Sequence, residues 1–157
     1  MSKKVIVIDD SALMRRVISD IIESDDRFTV ASTAANGLDA LDQIVKEPKR
    51  FDLAILDINM PKMNGIEFLE RIEKLNLSLK VIVVSTVAKE GAKETIRCLE
   101  LGAFDFVTKP ESFIEAKGDV FRLRIMQKLC VAAGFDDEDK SLKTMIPAPA
   151  PVHSPNA

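Results

Sequence analysis

Val5–Ser11 reads VIVIDDS: four β-branched residues, then two aspartates, then a serine. A run of that length and composition has the character of a strand buried on both faces. The paired charges mark where the chain leaves the core. The arrangement recurs three times: Leu53–Leu56 leads into Asp57, Val81–Val84 into Ser85, and Phe106–Val107 runs up to Thr108 and Lys109. In a parallel sheet every strand ends on the same edge. Asp9, Asp10, Asp57, Ser85 and Lys109 are therefore expected to converge there. Three carboxylates, a hydroxyl and an ammonium in one crevice have the composition of a magnesium-dependent phosphoryl-transfer site.

Helical patterns lie between the strands. Ser11 is placed to cap a helix whose broad apolar face carries Leu13, Met14, Val17, Ile18, Ile21 and Ile22, with Arg15, Arg16, Ser19, Asp20 and Glu23 on the other face. Phe28–Ser32 predicts a weaker second strand at an edge. Asn36 precedes a helix through about Lys46 with Leu38, Leu41, Ile44 and Val45 inward. A third helix, capped near Asn64, carries Ile66, Phe68, Leu69 and Ile72. A fourth runs from about Gly91 to Leu101 and closes at Gly102. After the Asp105–Thr108 strand, a fifth spans about Gly118–Ala133 and ends at Gly134.

Five strands alternating with five helices predict an α/β fold: a doubly wound, five-stranded parallel sheet with helices on both faces. The flavodoxin-like order 2-1-3-4-5 puts strand 2 at an edge and holds ligands where strands 1 and 3 diverge. Asp9 and Asp10 come from the first of these strands and Asp57 from the third.

Composition narrows the classes. The chain has 157 residues, 46% of them hydrophobic, enough for one core without staples. A net charge of −3 with no basic stretch speaks against a nucleic-acid-binding surface. Cys98 and Cys130 are far apart on apolar helix faces and read as buried thiols. The first apolar run stops at Asp9, too short for a signal peptide, and no segment has membrane-spanning length, so no membrane insertion and a cytoplasmic location are expected. Residues 1–134 form the expected domain. Residues 135–157, acidic at first and then rich in proline, read as a flexible linker or tail; His153 lies within it as a spacer residue.

The expected chemistry follows from the donor set. Asp10 and Asp57 can ligate Mg2+ directly, Asp9 through water, and the Asn59 carbonyl can complete the protein's share. A carboxylate can also attack phosphorus to form an acyl phosphate, and Asp57, ending the central strand, is the candidate. Lys109 would neutralise the transferring group, and Ser85 would hydrogen-bond a phosphoryl oxygen afterwards. Each residue alone has a plainer reading: a helix cap, a turn residue, a strand-end hydroxyl, a solvated lysine. Their convergence is what favours chemistry.

VIDDS at Val7–Ser11, ILDINMPKMNG at Ile55–Gly65, VVST at Val83–Thr86 and FVTKP at Phe106–Pro110 together resemble the signature of bacterial response-regulator receiver domains. The resemblance covers about residues 3–133. It implies phosphorylation on Asp57 by a histidine kinase, a metal pair at Asp9 and Asp10, a switch hydroxyl at Ser85, a switch aromatic at Phe106, and a cis Lys109–Pro110 bond aiming the lysine inward. DDSALMRRVISDII and LELGAFDFVTKP look most like the receiver half of the chemotaxis protein-glutamate methylesterases. That likeness implies a chemotaxis kinase as donor and an esterase output domain, or a chemoreceptor or motor partner. It also implies that this chain carries only self-phosphorylation and dephosphorylation chemistry, the esterase activity belonging to a longer parent. Asn59 stands where such receivers often have glutamate, which brings the site nearer to stand-alone single-domain chemotaxis regulators.

Two other classes share parts of the pattern. A haloacid-dehalogenase-like phosphatase also uses an aspartate nucleophile after a parallel strand, but needs a carboxylate two residues on, where this chain has Asn59. A flavodoxin-like electron carrier needs a hydroxyl- and glycine-rich phosphate loop after strand 1, and Ser11–Arg16 is not one.

Overall fold

A computed structural model describes residues 2–86 and 89–135. Eleven elements alternate along them: β1 (Lys3–Ile8), α1 (Ala12–Glu23), β2 (Phe28–Ala34), α2 (Gly37–Lys46), β3 (Leu53–Asp57), α3 (Gly65–Lys74), β4 (Lys80–Ser85), α4 (Lys89–Glu100), β5 (Asp105–Thr108), α5 (Phe113–Ala116) and α6 (Asp119–Ala133). The strands form one parallel sheet in the order β2-β1-β3-β4-β5, as the alternation predicted. The apolar runs of β1, β3 and β4 occupy its buried centre.

The sheet separates two cores. Val5, Val7, Ile55, Ile82, Val84 and Val107 face α1 and α6. Ile6, Ile8, Leu56, Val81 and Val83 face α2, α3 and α4. Alternate residues of each strand thus feed opposite cores, the two-residue period of a pleated strand.

Local chemistry sets the helix starts. The side chains of Ser11, Asn36 and Asn64 each accept a backbone N–H from the first turn of α1, α2 and α3, and Asn64 with Glu67 completes a reciprocal capping box. Gly134, at φ 83°, closes α6 in the left-handed conformation that a side chain would strain.

Four expectations change. The described residues form six helices where five were expected: Ser112 Oγ accepts the Glu115 N–H at 3.1 Å and the Ser112 carbonyl accepts the Ala116 N–H at 3.0 Å, winding the single turn of α5. A one-turn helix is too short to show a hydrophobic period. Next, β2 runs on to Ala34 because a bulge at Ala31 resets its register, pairing Val5 with Val30 but Ile6 with Ser32. Leu13, Leu38 and Val45, expected inward, are at least half exposed; they flank a buried stripe only about three residues wide per two turns. Finally Phe135, expected to begin the tail, packs edge-to-face on Phe28 at 5.7 Å. The expected tail from 136 onward, His153 included, lies outside the described residues. Cys98 and Cys130 are both buried, as expected, and the Arg27 guanidinium donates to Cys130 Sγ at 3.3 Å.

Candidate functional site

Strand register brings the predicted residues to one sheet edge. Asp57, the last residue of β3, pairs with Val84, and Ser85, the last of β4, pairs with Thr108. Lys109 follows β5, and its backbone N–H donates to the Ser85 carbonyl at 2.6 Å. Asp9 and Asp10 follow β1. Carboxylate oxygens of Asp9, Asp10 and Asp57 lie within 4.8 Å of one another. The Lys109 ammonium stands between two of them, 3.7 Å from Asp9 Oδ2 and 3.6 Å from Asp57 Oδ1. It reaches them over a trans Lys109–Pro110 bond, since no peptide bond among the described residues is cis. This corrects the expected cis bond; trans is the lower-energy form of the bond before proline.

Burial sets the electrostatics. Asp9 and Asp57 are 1% and 5% exposed, whereas Asp10 is on the surface. Removal from water pushes the Asp57 carboxyl up to about 7, and the charges of Asp9 and Asp10 push the same way against the pull of Lys109. Asp9 is raised chiefly by burial too, opposed by the Ser11 N–H and by Lys109. One lysine beyond hydrogen-bond distance does not neutralise three carboxylates.

Asp9 also carries an unmet valence. Its Oδ1 accepts the Ser11 N–H at 2.8 Å, but its Oδ2 is buried with no hydrogen-bond partner. A buried acceptor left without a donor is costly unless something else fills that role. Hard carboxylate oxygens, crowded and under-neutralised, suit a small divalent cation.

The remaining predicted residues lie around this trio. Ser85 is buried at the end of β4. Asn59 is exposed, two residues past β3. Phe106 pairs with Val83, on the same face as Ser85 and Thr108, and is 40% exposed. The sequence reading missed Arg15. Its guanidinium donates to the Asp9 carbonyl at 2.7 Å, whereas helical period had put it on the solvent face beside Arg16. A helical side chain leans toward its N-terminus, and that lean was the available signal.

Comparison with known proteins gives one consistent picture. The family model for the response regulator receiver domain matches residues 5–118. A protein-glutamate methylesterase/protein-glutamine glutaminase of Clostridium acetobutylicum is 50% identical over 113 residues, 71% of this chain and 32% of that protein. The chain therefore spans about a third of the length of that curated relative. The response regulator domain of Thermotoga maritima CheB superposes with a TM-score of 0.73 at 36% identity, over 87% of this chain and 100% of that one. The CheX–CheY–BeF3–Mg2+ complex from Borrelia burgdorferi gives 0.70 at 29% identity, over 83% and 89%. No helix among the described residues is long and apolar enough to cross a membrane.

Proposed function

This chain belongs to the response regulator receiver domain family, and from that membership we propose that it accepts a phosphoryl group on Asp57 from a histidine kinase. The observation that carries the proposal is the trio of carboxylates within 4.8 Å, with Lys109 against two of them. Asp10 and Asp57 would hold Mg2+ directly, Asp9 through water, with the Asn59 carbonyl as a further oxygen. When bound, the ion offsets charge between these carboxylates and the incoming phosphoryl oxygens.

In the transfer, a carboxylate oxygen of Asp57 forms a bond to phosphorus as the bond from phosphorus to the donor breaks. Lys109 faces the oxygen that becomes part of the acyl phosphate and balances its charge. Afterwards the Ser85 hydroxyl donates to a phosphoryl oxygen. Its movement frees room on the face it shares with Phe106, and the aromatic ring turns inward. Phosphate thereby biases a two-state element. The output surface is α4, β5 and α6, where Ile96, Leu99 and Phe106 are exposed.

Likeness to methylesterase receivers supports the finer reading: a regulatory half that ends with Phe135 packed on Phe28, joined through residues 136–157 to an esterase output domain in a chemotaxis system of the cytoplasm. The short connection would keep that domain at high local concentration.

Acetyl phosphate with Mg2+ should raise the intact mass by one phosphoryl group, about 80 Da. Undiminished labelling of Asp57→Asn, or labelling in excess chelator, contradicts the assignment. Beryllofluoride should shift amide resonances from the site out to Ile96, Leu99 and Phe106. Changes confined to the loops around Asp57 would rule out this output route.

A further inference from the structure

We propose that Arg15 is a positioning residue for the acidic pocket: it clamps the Asp9–Asp10 peptide so that both carboxylates are preset for a divalent cation. The inference rests on the reading of that pocket as a Mg2+ site.

The β1–α1 turn is laced by three consecutive bonds. Asp9 Oδ1 accepts the Ser11 N–H at 2.8 Å, Ser11 Oγ accepts the Met14 N–H at 3.1 Å, and the Arg15 guanidinium donates to the Asp9 carbonyl at 2.7 Å. The first two fix the Asp9 side chain and the start of α1. The third fixes the peptide plane between Asp9 and Asp10, the hinge on which both carboxylates turn. A short bond from a charged donor is among the stronger ones available to a carbonyl.

Arg16 is the natural control. One residue along the same helix, it pairs with Asp20 at 3.2 Å on the open surface, 79% exposed. Adjacent arginines thus do different work: Arg16 decorates the helix, whereas half-buried Arg15 reaches back over the first turn to the strand end.

Charge and position make opposite demands, and the sign of the effect separates them. If Arg15 acted only as a nearby positive charge, removing it would strengthen binding of a dication. If it positions the ligands, removing it weakens binding, as for other partners that orient metal ligands. The peptide clamp is direct and short, whereas the charge is partly exposed and screened. Position therefore wins.

The experiment is calorimetric titration of Mg2+ alone into the wild-type chain, Arg15→Met, Arg15→Lys and Arg16→Met. Arg15→Met keeps the apolar stem but not the donor, and its Mg2+ dissociation constant should rise roughly tenfold. Arg15→Lys, which can still donate to the Asp9 carbonyl, should recover most of the affinity, and Arg16→Met should match wild type. Acetyl phosphate labelling should need more Mg2+ in Arg15→Met yet reach the wild-type rate at saturation. Unchanged or tighter Mg2+ binding in a folded Arg15→Met overturns the clamp, and so does equal weakening in Arg16→Met. A lower saturated labelling rate with unaltered Mg2+ affinity would instead put Arg15 on the phosphoryl donor and also overturn it. Absence of Mg2+ binding by the wild type would refute the underlying reading of the pocket, a separate result.

Discussion

The two edges of the sheet hold their charges in opposite ways. At the edge where strands begin, Asp25 accepts from Arg27 Nε at 3.0 Å, a second guanidinium nitrogen at 2.8 Å and the Arg27 backbone N–H at 2.9 Å. Those bonds hold its carboxyl below the usual range, the Arg27 side chain contributing most. The same guanidinium lies over the Phe135 ring at 5.1 Å, tying the end of α6 to the α1–β2 turn. At the edge where strands end, Asp9 and Asp57 are buried beside Asp10 and held above their usual range, with Lys109 between them beyond hydrogen-bond distance. Charge at the first edge stabilises the fold, and charge at the second works against it. A chain keeps such an arrangement where function requires it.

The comparison makes graded predictions. Phe28, 3% exposed, anchors the structural edge, and Phe28→Ala should cost about 3 kcal/mol. Urea denaturation measures this, and Mg2+ affinity should be unchanged; a parallel loss of affinity would mean the edges are not independent. Asp57→Asn should have the opposite sign, stabilising the metal-free chain at pH 8 by on the order of 2 kcal/mol, because it removes a charge held at a carboxyl raised to about 7. Destabilisation instead would show that Lys109 more than compensates for the buried charge. Asp25→Ala should cost about 1 kcal/mol near neutral pH, since its pair with Arg27 is partly open to solvent. That contribution is present above the unfolded pKa near 3.8 and is lost as pH falls through the lowered folded value. Arg16→Ala, breaking an exposed pair, should leave the urea midpoint unmoved.

Sequence told most about the central strands and least about reach. Val5–Ile8 and Val81–Val84 are apolar throughout, so strand type, burial and the polar residue ending each run could be read together. The caps at Ser11, Asn36 and Asn64 were legible because a short polar side chain before an amphipathic run has one physical use. Ala31 could not be found, because a bulge depends on the register with β1 and not on β2 alone. α5 escaped because one turn has no period. Arg15 escaped because periodicity assigns a face to a Cα, whereas a long side chain acts a full turn away. Leu38 and Val45 were overcounted for a related reason: a stripe of apolar residues can be wider than the groove that receives it.

The most direct test of a charge-loaded edge is the urea midpoint of the metal-free chain between pH 5 and pH 8, repeated with Mg2+. A carboxyl raised in the folded state contributes stability that is complete below its unfolded pKa near 3.8 and is lost as pH rises through about 7. The wild type should therefore lose stability across this window, Asp57→Asn should lose much less, and Mg2+ should restore the wild type at the upper end. A wild-type midpoint that rises with pH, or that Mg2+ leaves unchanged at pH 8, would contradict the account.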